Sequence, residues 1–287
     1  MEMVEPGQGV IAFIRPDEGA NAGLIRTAGG AVVVDTTSCA ADMRELLDAA
    51  GVSPAEVRLA INTHSHSDHT WGNQLFDCPI LAHRLCRETM KANLDGPWKL
   101  EKVEAAIAER EKIEPDWARE MRHKLAGLRI TLPTEVFEER RDLDVGGVRL
   151  HVIHVDAHSP GSSVVWLPEA RVLFAGDLIF EGRYPYIGDA DVPALIAALK
   201  QLSEYGAQAI VPGHGRLCGE AEVGALVDYL EGTWARTADH LAQGHGEEEA
   251  VADPGYPRYA EQAADRLHGA NIRVMYAQLS RKKEGEG

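Results

Sequence analysis

Four side chains of the kinds that bind transition metals lie within six consecutive residues of this sequence. The segment from position 62 reads Asn-Thr-His-Ser-His-Ser-Asp-His, so it supplies His64, His66, Asp68 and His69. Neutral imidazole nitrogen and carboxylate oxygen bind such metals at about 2 Å. Crowding these groups together is costly unless a cation compensates them. The segment therefore predicts a metal centre, with room for two ions side by side.

Three further candidate ligands follow apolar runs that predict strands. They are His158 after residues 150–155, Asp177 after residues 172–175, and His214 after residues 209–211. Small and turn-forming residues flank each of them, which lets the loops approach one another closely. His154 is the only rival to His158, and it lacks the Ser-Pro-Gly-Ser turn that follows His158. We expect four strand ends to bring all seven candidates together.

The order of these motifs resembles that of the metallo-β-lactamase fold hydrolases. The motifs read His-x-His-x-Asp-His, His-Ser-Pro-Gly-Ser, Phe-Ala-Gly-Asp and Pro-Gly-His-Gly, and the similarity runs from about residue 23 to residue 214. The resemblance implies an α/β protein with a four-layer αββα sandwich. It implies that one metal binds His64, His66 and His158, that a second binds Asp68, His69 and His214, and that Asp177 bridges both.

The residue types at two positions refine this resemblance. Position 177 is Asp rather than Cys, so the centre is more similar to that of glyoxalase II-like hydrolases than to that of antibiotic-cleaving zinc β-lactamases. Asp156-Ala157 replaces the Pro-Gly that precedes the third histidine in many relatives, which affects the shape of the loop. The implied cofactors are two divalent ions. We expect zinc, and iron or manganese also suit these ligands.

The resemblance implies a hydrolase in which a metal-bridging hydroxide cleaves an ester or thioester-type bond. Metal binding brings the pKa of water close to 7, so no serine or cysteine nucleophile is required. The sequence contains no Gly-x-Ser-x-Gly elbow. Asp68 is the expected catalytic residue, because besides binding metal it can orient the hydroxide or take its proton.

Two other functions on the same scaffold stay open. Residues 68–73, which read Asp-His-Thr-Trp-Gly-Asn, and residues 157–161 are similar to the thioesterase/cyclases of aromatic polyketide pathways. The second alternative is a persulfide dioxygenase with a single iron ion. Metal content distinguishes this oxygenase from the hydrolases.

The length allows one large domain or two small ones, and the resemblance implies a single domain over residues 1–287. The predicted strands and helices near the first motif are strands at 10–14, 23–27, 31–35 and 57–61, and a helix at 40–50. Residues 84–139 are predicted to be a helical insertion, either a lid over the substrate or a helical pair that stabilises the rim. Residues 220–287 are predicted to be a C-terminal helical segment.

Several residues near the predicted ligands have two interpretations each. Asp35 ends a predicted strand, where it either lies near the metals or caps the following turn. Arg183, Tyr184 and Tyr186 follow Asp177, where they either line the pocket or pack within a loop. No residue is identified from the sequence as a substrate ligand.

Composition limits the compartment and the partners. The net charge of −16 repels phosphate backbones and predicts no nucleic-acid partner. No apolar stretch reaches the roughly 18 residues of a membrane-spanning helix, and the first residues lack the apolar core of a secretory signal. The four cysteines form no Cys-x-x-Cys pair and are expected to be reduced. These features favour a cytoplasmic enzyme, not bound to a membrane, that acts on a small-molecule or carrier-tethered acyl substrate. They give no information on oligomeric state.

Overall fold

Two β-sheets form the centre of the structure, and helices cover both outer faces. The computed structural model describes residues 1–15, 19–260 and 265–285. The strands are β1 (Glu2–Gly7), β2 (Val10–Ile14), β3 (Ala22–Thr27), β4 (Gly30–Val34), β5 (Val57–Ile61), β6 (Ile80–His83), β7 (Glu135–Phe137), β8 (Arg140–Val145), β9 (Val148–His154), β10 (Ser163–Leu167), β11 (Val172–Phe180) and β12 (Ala209–His214). The α-helices are α1 (Ala40–Ala49), α2 (Ser67–Thr70), α3 (Arg84–Leu94), α4 (Leu100–Glu111), α5 (Pro115–Lys124), α6 (Val192–Gln201), α7 (Glu220–Ala242), α8 (Glu247–Ala252) and α9 (Asp265–Gly285).

The sheets differ in the direction of their strands. The first has seven strands in the order β1 to β7, antiparallel from β1 to β4 and parallel from β4 to β7. The second has five strands in the order β12-β11-β10-β9-β8, and its only parallel pair is β11 with β12. Both sheets direct their ligand-bearing loops to one common edge.

The alternation of side chains on a strand divides the core into layers. On β4, Val32 and Val34 face the second sheet, whereas Ala31 and Val33 face α1. Each buried valine contributes roughly 1.5 kcal/mol or more of hydrophobic free energy. Helices α6, α7 and α9 cover the outer face of the second sheet. The layer order is therefore helix, sheet, sheet, helix, which confirms the predicted αββα sandwich.

The predicted helical insertion contains three helices and one strand. Helices α3, α4 and α5 occupy most of residues 84–124, and Pro115 begins α5 at a position where a proline is tolerated. Strand β7 then pairs in parallel with β6, whereas the sequence predicted no strand in this region. Only Phe137 of its three residues is buried, so β7 has no alternating pattern that would have revealed it.

Two expectations about the chain as a whole concern cysteines and membranes. Cys39, Cys78, Cys86 and Cys218 are free thiols. In the part of the chain that the structure describes, no helix combines the length and the apolar character needed to cross a membrane.

Candidate metal centre

The His-x-His-x-Asp-His segment leaves the end of β5 as a loop and turns into the short helix α2. The backbone of His66 is extended at the start of this helix, with φ −66° and ψ 150°. The Asn62 side chain donates to the carbonyl oxygen of His69 at 3.2 Å and to the side-chain oxygen of Asn73 at 3.0 Å. These buried bonds close the loop, so that its four ligand-type side chains are held together.

Asp177 lies in the interior of β11, where the strand is irregular. The preceding Gly176 has a φ of +52°, which favours glycine, and the pairing with β12 shifts on both sides of it. A Cβ atom on Gly213 would lie 1.9 Å from Oδ1 of Asp177. The Pro-Gly-His-Gly motif therefore supplies a glycine where the backbone must pass directly against the Asp177 carboxylate.

The first group of candidate ligands comprises His64, His66, His158 and Asp177, and one ligand atom from each lies within 4.8 Å of the others. Nε2 of His158 is 3.2 Å from Nδ1 of His66. Oδ2 of Asp177 is 3.5 Å from Nε2 of His64, 3.6 Å from Nε2 of His158 and 4.0 Å from Nδ1 of His66. Three imidazoles and one carboxylate oxygen thus face a common point.

The second group comprises Asp68, His69 and His214, and it faces the other oxygen of Asp177. Oδ1 of Asp177 lies 3.0 Å from Nε2 of His69 and 3.5 Å from Nε2 of His214. Oδ2 of Asp68 lies 3.3 Å from Nε2 of His214 and 3.9 Å from Nε2 of His69. All seven candidates from the sequence are therefore brought together, in the two sets that the family resemblance implies.

The distances and the unpaired atoms of both groups fit metal binding. Four ligand atoms about 2 Å from a tetrahedral ion lie roughly 3.3 Å from one another. Within the described residues, Nε2 of His64, Nε2 of His69 and Oδ1 of Asp177 are buried and make no hydrogen bond. Such atoms are costly to bury without a partner. One cation in each group would satisfy them.

Burial and charge have opposite effects on the pKa values in the centre. Burial lowers the pKa of His64 to about 4, and the neighbouring His69 adds to this shift. At His214, burial is outweighed by Asp177 and Asp68, which raise the pKa to about 9. Burial would raise the pKa of Asp177, but His69 and His214 hold it well below its usual range. The Asp177 carboxylate is therefore ionised at neutral pH, as a metal ligand must be.

Two carboxylates contact the candidate ligands from outside the groups. Oδ2 of Asp35 lies 2.8 Å from Nδ1 of His69, and Asp35 also accepts hydrogen bonds from the backbone and the hydroxyl of Thr63, both at 2.7 Å. Asp35 therefore lies beside the centre, which was one of its two interpretations. Oδ2 of Asp189 lies 3.0 Å from Nε2 of His66. The sequence contains no motif around Asp189 that indicated this contact.

The structure separates His158 from its rival His154. The imidazole of His158 lies in the first group, whereas that of His154 stacks on His83 with centroids 3.7 Å apart and planes 2° apart. Gly161, in the turn after His158, has a φ of +82°, and a Cβ atom there would lie 2.4 Å from the backbone nitrogen of Cys86. The Ser-Pro-Gly-Ser turn thus allows close packing of the His158 loop against the start of α3.

Two tyrosines that were candidates for the pocket occupy different environments. The ring of Tyr186 lies 5.7 Å from that of His66 and 6.4 Å from that of His158. Tyr184 is buried between the second sheet and the C-terminal helices, where its ring packs against Tyr229 at 5.2 Å. Of the two, only Tyr186 is exposed beside the candidate ligands, so it is available to contact a substrate.

Comparisons with known proteins identify the family. The family model of the metallo-beta-lactamase superfamily matches residues 15–214. The acyl-coenzyme A thioesterase MBLAC2 of Bos taurus is 26% identical over 218 residues, which cover 70% of this chain and 75% of that protein. A linear primary-alkylsulfatase of a Pseudomonas species is 22% identical over 217 residues, which cover 67% of this chain and 41% of that protein.

Solved structures share the fold at low sequence identity. A metallo-beta-lactamase family protein from Thermus thermophilus has a TM-score of 0.67 and 19% identity, and the match covers 96% of this chain and 94% of that one. The inverting sec-alkylsulfatase Pisa1 from a Pseudomonas species has a TM-score of 0.74 and 18% identity, and the match covers 96% of this chain and 50% of that one. From the family model and these relatives we conclude that the chain belongs to the metallo-beta-lactamase superfamily and is a hydrolase of that family.

Proposed function

We propose that this protein is a dinuclear metal-dependent thioesterase that cleaves acyl thioesters. The observation that carries the proposal is the convergence of two ligand groups on the two oxygens of Asp177. One metal ion in each group, most suitably zinc, would polarise the thioester carbonyl and lower the pKa of a water molecule. The likeness to acyl-coenzyme A thioesterases supports the thioester as the bond that is cleaved.

The residues of the chain divide the remaining tasks. The Asp177 side chain is 4% exposed, which suits a structural ligand that holds two cations at a fixed separation. The Asp68 side chain is 35% exposed and borders solvent while facing His214. A substrate and a water molecule therefore have access to Asp68, and we assign to this carboxylate the task of orienting the attacking water. His64, His69, His158 and His214 are buried, whereas His66 is partly exposed, so the side of the centre that faces solvent is that of His66 and Asp68.

An acyl thioester also suits the surroundings of the centre better than a phosphodiester does. Tyr186 provides an exposed aromatic surface beside His66 and His158. Apolar and aromatic walls with a few polar groups are typical of sites that bind acyl chains or rings.

The experiment that tests the proposal combines metal analysis with a matched series of substrates. Purified protein is analysed for zinc, iron and manganese, and hydrolysis is then measured for acetyl, octanoyl, palmitoyl and benzoyl thioesters. The same assay includes a primary and a secondary alkyl sulfate, a β-lactam and a phosphodiester. We expect about two metal ions per chain and the highest kcat/KM on a thioester. Chelation should abolish this activity and zinc should restore it.

Each competing function has its own result in this experiment. Fastest cleavage of an alkyl sulfate would replace the thioesterase proposal with a sulfatase. One iron ion per chain, with oxygen consumption on a persulfide, would indicate the dioxygenase chemistry. Ring closure of a tethered polyketide without release of free acid would indicate a cyclase.

A further inference from the structure

We infer that Asp189 is a positioning residue for His66, and that the C-terminal helix α9 holds the loop that carries Asp189. The inference rests on the proposed metal centre, because His66 is one of its candidate ligands. Asp189 and His66 lie within the residues that match the family model, whereas α9 lies beyond residue 214, where that match ends. The inference thus assigns a function in the centre to a helix outside the matched region.

The contact between Asp189 and His66 determines which imidazole nitrogen is available to a metal. Oδ2 of Asp189 lies 3.0 Å from Nε2 of His66, and a carboxylate can only accept in this bond. Nε2 must therefore carry a proton, and the lone pair of a neutral His66 is on Nδ1. It is Nδ1 that faces Nε2 of His158 and Oδ2 of Asp177 in the first group. Asp189 thus selects the tautomer that can bind metal.

The second group contains an equivalent arrangement that supports this interpretation. Oδ2 of Asp35 lies 2.8 Å from Nδ1 of His69, so Nε2 of His69 is left to face Oδ1 of Asp177. Each group therefore has one histidine whose outer nitrogen contacts a carboxylate. Carboxylates in this position fix the tautomer and the ring orientation of metal-binding histidines.

Helix α9 anchors the loop of residues 181–191 at two places, one just before Tyr186 and one just after Asp189. On the first side, Asn271 donates to the carbonyl oxygen of Pro185 at 3.0 Å. On the second, Gln278 donates to the carbonyl oxygen of Ala190 at 2.7 Å and accepts from the backbone of Val192 at 3.2 Å.

Other contacts of the same loop limit where Asp189 can move. The backbone nitrogen of Asp191 donates to the carbonyl oxygen of Ala157, next to His158, at 3.1 Å. A Cβ atom on Gly188 would lie 2.3 Å from the Tyr186 hydroxyl, so the Tyr186 side chain packs closely against the loop next to Asp189. Ile187 is fully buried in the core beneath the loop. Asp189 itself is 51% exposed, so these anchors, rather than burial of its own side chain, hold it against His66.

The first test measures zinc affinity by competition with a chelator in the full-length protein. Asp189→Ala should lower the affinity for one of the two bound zinc ions by about 10- to 100-fold and leave the affinity for the other unchanged. Asp189→Asn keeps an acceptor oxygen without the charge and should restore part of the affinity. Asp191→Asn is the matched control, because it removes an equal charge two residues away and retains a residue that can cap α6.

The second test observes the imidazole directly and needs no bound metal. Asp177 and Asp189 outweigh burial and raise the pKa of His66 to about 9, so the spectra are recorded above about pH 10, where the imidazole is neutral. Long-range proton–nitrogen NMR spectra of the metal-depleted protein should then show His66 protonated on Nε2, and Asp189→Ala should give a mixture of tautomers. A native protein that binds no metal would refute the proposed function, while this spectrum would still decide the role of Asp189. An unchanged tautomer and unchanged zinc affinity in Asp189→Ala would refute the inference.

The third test determines whether α9 acts through Asp189. Gln278→Ala should lower the affinity for the same zinc ion by a few-fold, since the loop beside Ala190 loses its anchor. In the Asp189→Ala background it should have no further effect, because residues that act as one unit are not additive. Additive losses would show that α9 stabilises the protein without positioning Asp189.

Discussion

Asp177 is the residue on which both ligand groups converge, and its two oxygens face different histidines. The side chain is 4% exposed, so solvent water cannot substitute for the groups that surround the carboxylate. Its position could be predicted from the Ala-Gly-Asp motif after an apolar run. The bulge that directs its side chain could not, because this depends on the contact of Gly213 with β11.

We expect Asp177→Ala to lower zinc content from about two ions per chain to one or fewer and to reduce hydrolysis by at least about 100-fold. The physical reason is that each group loses its only shared ligand, and 100-fold corresponds to about 2.7 kcal/mol of transition-state stabilisation. Metal analysis and kcat/KM on the best thioester measure both effects, and circular dichroism checks that the fold persists. Two zinc ions in an active variant would contradict the assignment.

His158 and His154 provide the second test at this scale. His158→Ala should remove the zinc ion of the first group. His154→Ala should retain both zinc ions and lose about 1 kcal/mol of unfolding free energy, because it breaks the stack on His83. Metal analysis and chemical denaturation of the two variants give the comparison. Loss of zinc from His154→Ala alone would mean that the wrong histidine has been assigned to the first group.

Among the elements, strands and helices with a strong local pattern are predicted from the sequence, whereas features that depend on contacts between distant residues are not. Strand β5 has the predicted bounds, and β4 and α1 are within one residue of theirs. Strand β8 was missed because it is an edge strand whose residues are mostly exposed and polar. Asp189 was missed for a similar reason, since its partner His66 lies more than 120 positions earlier and no local motif marks it.

The helical insertion contacts the ligand segment through an aromatic pair, and this contact leads to a third prediction. Trp98, between α3 and α4, packs edge-on against Trp71, two residues after His69. Trp98→Ala should lower the unfolding free energy by about 2 kcal/mol and weaken zinc binding to the second group, because Trp71 loses its support. The control is Trp117→Ala in α5, where the ring packs under Arg110 within the insertion itself.

Denaturation curves and zinc competition on both tryptophan variants decide this prediction. Trp117→Ala should leave zinc affinity unchanged. Equal zinc affinity in both variants would show that the insertion is only a stabilising helical pair. A selective loss in Trp98→Ala would support a role of the insertion beside the centre.

The stacked histidines join the end of β6 to the end of β9, and they predict a pH dependence of stability. Burial lowers the pKa of His83, and His154 and Arg84 add to this shift, whereas Glu138 opposes it. Below the ordinary pKa of histidine the unfolded chain therefore binds more protons than the folded chain, so stability falls as the pH falls from about 7 to about 5. His154→Phe keeps the stack but removes one source of the shift.

We therefore expect His154→Phe to lose less unfolding free energy than the native protein on acidification. Chemical denaturation at pH 7 and pH 5 measures both losses. Since the candidate metal ligands titrate in both proteins, the difference between them reports on the stacked pair. Equal losses would show that the stack does not contribute to the acid sensitivity.

For the whole molecule, the charge balance predicts how the enzyme meets an anionic substrate. The chain has 45 acidic and 29 basic residues, and its net charge is −16. Asp42 forms ion pairs with two basic residues. Arg15, just after β2, lies 2.8 Å from it, and Lys124, at the end of α5, lies 3.7 Å from it. Their charge is thus largely compensated. An acyl-coenzyme A molecule is a polyanion and should be repelled at long range.

Salt should therefore accelerate the reaction with acyl-coenzyme A. Raising the ionic strength from about 20 mM to about 300 mM shortens the screening length and should increase kcat/KM for octanoyl-coenzyme A by about two- to five-fold. The neutral N-acetylcysteamine thioester of the same acyl group is the control, and its kcat/KM should stay nearly constant, which excludes effects of salt on the fold or the metals. A decrease in kcat/KM for the coenzyme A thioester would contradict the prediction, because it would require a local basic surface at the entrance that outweighs the charge of the whole molecule.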